Sequence, residues 1–169
     1  MQALIFRFFD ICLFRAGPQD LPSSLFLLRF VVLLSVIIGI FPHLQTNDVG
    51  KSLMISLFNV VWLIGFLYLS LQLRGKLARL RQTAIAMMGT NLLIGLLMMP
   101  FLYHVIAAEI AGESALVAFQ FLLLLLIWDI MVFAHIIRHS LDIRLAYGFV
   151  ISVGYLVLSW TIIEMIFAA

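Results

Sequence analysis

Charge is scarce in this 169-residue chain, with Asp, Glu, Lys and Arg together making up 11% of it. A soluble globule covers itself with about a quarter charged residues, so the polar surface that water demands is missing. Cysteine is nearly absent. Cys12 stands alone, which excludes an internal disulfide, a Cys-x-x-Cys pair and a cysteine cluster for metal, and leaves it the role of a packing thiol. A strong excess of one sign is also lacking: ten Lys and Arg face eight Asp and Glu, too small a surplus for a nucleic-acid binder. The chain holds no Gly-x-Ser-x-Gly, no His-Glu-x-x-His, no P-loop and no paired aspartates of an intramembrane protease, so the expectation is a protein that is not an enzyme. Arg7 and Asp10 interrupt the first apolar stretch, and the N-terminus is expected to be retained instead of cleaved as a signal peptide.

What fills the chain is apolar: 65% of it is hydrophobic and its mean hydropathy is +1.22. Residues 25–41, 53–73, 84–103, 116–137 and 145–167 form five apolar runs that reach the about 17 to 25 residues needed to cross a hydrocarbon core. They show no alternation, and a lone spanning segment satisfies its backbone in lipid only as a helix, which excludes a barrel. The expected fold is all-α, an integral membrane bundle of five transmembrane helices over residues 23–169. Residues 1–22 precede it as a cytoplasmic amphipathic interfacial segment. The segments between spans, headed by Pro42, Arg74, His104 and Arg138, run about 9 to 12 residues and are too short to fold as domains.

Arg7 and Arg15, then Arg74, Lys76, Arg79 and Arg81, then Arg138 and Arg144 all fall on one side of this topology, and only Lys51 falls on the other. The positive-inside rule then predicts a cytoplasmic N-terminus and a periplasmic C-terminus, in a bacterial inner membrane, which the short loops suit. Arg7, Asp10 and Arg15 share one arc of the first helix, whose remainder is Leu, Ile and Phe. That pattern predicts a helix along the inner leaflet, as a docking arm or as a segment packed across the mouth of the bundle. Gly17-Pro18 ends it, and Pro22-Ser23-Ser24 supplies a turn and an N-cap for the first span.

Polar residues inside spans are costly and raise functional hypotheses. Arg29, Asn91 and Asp129 are predicted to cluster, with Asn91 and Asp129 at one depth and the long Arg29 side chain reaching up to the carboxylate. A polar clasp that fixes helix register is preferred over a proton or ion path. Glu164 is paired with Lys51, and Asn59 and Gln120 are read as interhelical hydrogen-bonding groups. His135, Arg138, His139 and Asp142 lie within about 100° of one helix face. His135 and His139 at i, i+4, with Asp142 beyond, are the candidate metal or haem ligands. The plainer reading is a cytoplasmic interface of Arg74, Lys76, Arg79, Arg81, Arg138, His139, Asp142 and Arg144 that meets lipid phosphates. On balance no cofactor is expected. His43, His104, Glu109 and Glu113 are read as solvated loop residues on the other side. Gly89, Gly95, Gly148 and Gly154 are read as points of close helix approach, and Met87, Met88, Met98 and Met99 as adaptable packing.

Residues 73–82, Leu-Arg-Gly-Lys-Leu-Ala-Arg-Leu-Arg-Gln, lead into a span with a distal Pro100, followed by an apolar run that carries Trp128 before Arg138. From residue 53 to the C-terminus that order resembles the Yip-domain family of five-pass membrane proteins. The resemblance implies a non-enzymatic bundle that organises membrane or binds other membrane proteins. Eukaryotic members engage small GTPases, but the N-terminal region here is shorter than their cytosolic arm. The leading functional expectation is a small accessory or scaffold protein whose partners are the lipid bilayer and other membrane proteins. A transporter or channel component that uses Asp129 and Arg29 is the first alternative, and a metal- or haem-binding redox subunit at His135 and His139 the second.

Overall fold

Backbone N–H and C=O groups that face lipid must be bonded within their own segment, and the chain meets that demand with helices throughout. The computed structural model describes residues 2–45 and 47–167. Met1, Thr46, Ala168 and Ala169, which the segments 1–22 and 23–169 also take in, lie outside the described residues. The helices are α1 (Gln2–Cys12), α2 (Leu25–Ile40), α3 (Val49–Leu73), α4 (Leu80–Ala111), α5 (Leu116–Leu141) and α6 (Leu145–Phe167), with no strand among the described residues. Five stretches are long and apolar enough to cross a membrane: Leu25–His43, Val49–Leu73, Leu77–Ala111, Leu116–Leu141 and Leu145–Phe167.

The expected spans are all present, but three begin or end elsewhere, α5 running on to Leu141. Helix α3 starts four residues before the apolar run, because the Asp48 carboxylate accepts the Lys51 N–H at 2.7 Å and caps the first turn. Helix α4 passes through Pro100 and continues to Ala111, where Gly112, at φ 69°, closes it with the Glu113 N–H bonded to the Ala108 carbonyl at 2.8 Å. His104 and Glu109, expected in a loop, therefore stand exposed on the last turns of a helix. Once a helix has left the hydrocarbon, nothing requires its residues to be apolar.

Helix α5 is central, packed on α4 on one side and α6 on the other. A Cβ at Gly148 would stand 2.6 Å from the Ala134 carbonyl oxygen, so that glycine lets α6 close against α5. A Cβ at Gly89 would stand 2.2 Å from the Phe8 ring, which seats α1 on α4. Gly95 and Gly154 face open space and mark no close approach.

The chain that follows α1 has a course the sequence did not predict. Phe14 takes the left-handed conformation at φ 61° and turns the chain back. Residues 12–20 then follow α5 toward its C-terminal end. The Trp128 indole N–H donates to the Cys12 carbonyl at 3.0 Å, His135 Nε2 donates to the Ala16 carbonyl at 2.9 Å, and Pro18 and Gln19 meet His139. Trp128 lies about 20 Å along the axis from the end of α5, so this strap starts deep in the bundle. Phe8, Ile11 and Cys12 of α1 are buried against the bundle at the level of Gly89 and Trp128, deeper than its mouth, while Ile5, Phe6 and Phe9 on the opposite face are exposed.

Candidate functional site

The last carbonyls of an α-helix have no partner within the helix, and at the end of α5 two cations supply one. Lys76 Nζ donates to the Leu141 carbonyl at 3.0 Å, and Arg79 donates to the His139 and Ser140 carbonyls at 3.2 and 3.3 Å. Asp142, the left-handed cap residue at φ 51°, takes both cations on Oδ2, Arg79 at 3.0 Å with Lys76 beside it. Hydrogen bonds from Lys76 and then Arg79 hold its carboxyl down at about 2. Among the described residues these are the ion pairs of the chain. Below them the Thr83 hydroxyl donates to Ser140 Oγ at 2.9 Å, both buried. The connection between α3 and α4 is thus tied to the corner between α5 and α6.

Of the interface residues read from sequence, Lys76, Arg79, His139 and Asp142 come together here. Arg74, Arg81 and Arg144 are exposed, and Arg138 is half-buried on α5. The His135 and His139 rings lie 4.6 Å apart, edge to face, with His135 Nε2 committed to Ala16 and Asp142 to the two cations. Among the described residues no three His, Cys, Asp or Glu gather as a metal site.

The second polar region lies midway along the bundle. The first half of α3 leans on α2 and α6: the Ser56 hydroxyl donates to the Val36 carbonyl at 2.8 Å, and the Trp62 indole donates to Ser159 Oγ at 2.8 Å. Beside these contacts a space remains between α3, α4, α5 and α6. A cavity of about 230 Å³ opens there, lined by Asn59, Asn91, Asp129, Tyr155 and Ser159 among others. Asn59, Asn91 and Tyr155 also line a neighbouring cavity of about 260 Å³ that reaches Ser35 and Ser56. Trp160 and Ile163 line both the first cavity and a third, of about 400 Å³, at the end of the bundle away from the basic residues, beside His43, Asn47 and Glu164.

Asn91 and Asp129 share the first cavity, as counting along their helices predicts. They are not bonded to one another: among the described residues the side chains of Asn59, Asn91 and Asp129 make no hydrogen bond and Asp129 no ion pair. Arg29 stands exposed on α2 and lines neither cavity that holds Asn91. Glu164 takes the Trp160 indole N–H at 2.5 Å and is not paired with Lys51. Toward the basic end the bundle is tightly packed, since residues 83–90 of α4 and 132–137 of α5 are all buried.

Ser152, Tyr155 and Ser159 escaped the sequence reading. Their signal was present, because positions 148, 152, 155 and 159 carry Gly, Ser, Tyr and Ser at the 4-3-4 spacing of one helix face. Comparison with known proteins matches the chain to no family model, no curated protein and no solved structure.

Proposed function

We propose that the chain is a small five-pass protein of a bacterial inner membrane that binds a polar solute in its central cleft and works as a transport or channel component. The observation that carries this reading is Asp129, a carboxylate with no partner among the described residues, in a cavity that four spans build. An ionisable group at such depth is expensive, and a purely structural clasp would bond it to a neighbour. The positive-inside rule sets the end with Arg74, Lys76, Arg79, Arg81, Arg138 and Arg144 in the cytoplasm, so the cleft opens toward the periplasm. Asp129 acts without Arg29, whose position on α2 suits lipid phosphate or a partner.

The accessory-protein reading draws on that same face of α2, where Phe26 and Phe30 stack at 6.5 Å beside Arg29, all three exposed. The Yip-like resemblance leads the same way. A redox role at His135 and His139 has only their ring contact in its favour.

Thiol labelling separates these readings. In a Cys12→Ser background, Asn59→Cys and Ser159→Cys are treated with a membrane-impermeant maleimide in sealed vesicles of either orientation. The expected result is labelling from the periplasmic face and none from the cytoplasmic face. Protection from both faces would overturn the cleft reading and leave the accessory one.

A further inference from the structure

The walls of the central cavity say more about its ligand than its polar groups do. Phe133, Tyr155 and Trp160 line it together with Asp129. The Phe133 and Tyr155 rings stack at 4.9 Å, and Phe66 packs on Tyr155 at 4.7 Å behind them. A carboxylate without a countercharge excludes an anion and, in a low-dielectric site, calls for a cation. A small hard ion needs about six or more oxygens closed around it in a tight shell, whereas Asp129 shares a cavity of about 230 Å³, far roomier than such a shell, with scattered amides and hydroxyls and with three aromatic side chains. Aromatic faces attract a cation that sheds its water easily, and an ammonium wrapped in methyl or short alkyl groups is such a cation.

We propose that the cavity at Asp129 is a site for a small organic cation, with the carboxylate as counter-ion and the rings of Phe133, Tyr155 and Trp160 as its walls. The assignment rests on the cleft being a solute site, and it adds the class of solute. Asn59 and Asn91, on the opposite helices, offer amide oxygens to a hydroxyl or amine proton that the cation carries.

The test uses the whole chain in lipid nanodiscs with radiolabelled choline as the probe, measured by equilibrium dialysis. Choline should bind saturably and be displaced by tetramethylammonium but not by 3,3-dimethylbutan-1-ol, its neutral carbon analogue. Asp129→Asn should weaken binding at least about tenfold and Tyr155→Leu several-fold, as loss of a charge pair and a cation–π wall implies. Asp129→Glu, which keeps the charge, should retain binding and thereby distinguish a lost contact from a misfolded variant. Equal competition by the neutral analogue, or full binding by Asp129→Asn, would overturn the assignment. So would an absence of saturable choline binding in protein whose cleft residues label from the periplasmic face, and that outcome would leave the cleft itself standing. If the cleft residues fail to label as well, both readings fall together.

Discussion

The seat of α1 on α4 is a contact whose strength can be worked from distances. A methyl group added at Gly89 would stand 2.2 Å from Phe8 Cε1, 2.5 Å from Cζ and 2.6 Å from Cδ1. Carbon atoms in contact sit about 3.5 to 4.0 Å apart, so the ring would have to retreat by more than 1 Å, roughly the radial gap that forfeits much of a contact's dispersion energy. Phe8 is only 6% exposed, which leaves it little room to retreat. Gly89→Ala should therefore destabilise the bundle by about 1 to 3 kcal/mol, the usual range for overpacking. The same substitution made together with Phe8→Ala meets no ring. There it should be neutral or stabilise by up to about 1 kcal/mol, because Ala is the better helix former. A double-mutant cycle on Phe8 and Gly89, followed by tryptophan fluorescence during SDS titration in mixed micelles, should show a coupling of about 2 kcal/mol. Additive effects, or a Gly89→Ala single variant more stable than the parent, would show that α1 is not held in this groove.

Two further outcomes follow from groups outside the spans. The Asp142 carboxyl is held at about 2, below its ordinary 3.8, so the stabilising tie to Lys76 and Arg79 is fully present above about pH 4 and is lost as pH falls through about 2. Protection of the amides of residues 75–80, taken relative to the intrinsic exchange rate at each pH, should hold down to that point and fall below it, sooner at high salt because the pair is exposed. Protection factors unchanged over that range would remove the tie. Burial pushes the Cys12 thiol up to about 12, which keeps it in the unreactive neutral form. N-ethylmaleimide should leave it untouched at pH 8 until SDS unfolds the protein, and rapid labelling of the folded chain would contradict the packing around α1.

The spans could be read from sequence because lipid imposes both their length and their composition, and residues 116–137 and 145–167 fall wholly inside α5 and α6. What lipid does not impose is rotation about each helix axis. In a soluble helix an apolar stripe tells which side faces inward. Here α2 is apolar nearly all round, and nothing in it signals that Arg29 points away from Asp129. Depth survives that ambiguity, which is why Asn91 and Asp129 could be matched by counting alone. The basic end was legible as a cluster of charges but not as a cap. Lys76 and Arg79 read as lipid-facing cations, yet the unsatisfied carbonyls at the end of α5 claim them. The strap of residues 12–20 had no sequence signal beyond Gly89 and a misplaced-looking Trp128.

That strap bears on how the protein is made. Cys12 is bonded to a residue 116 positions later and Ala16 to one 119 positions later. As the ribosome delivers the chain N-terminus first, α1 emerges long before α5 exists to hold it. It can seat on α4 through Phe8 and Gly89, but the strap bonds to Trp128 and His135 cannot form until the fourth long apolar helix is in place. Assembly therefore cannot finish in the order of synthesis. The strap of residues 12–20, translated before every long apolar helix, is among the last segments to be locked.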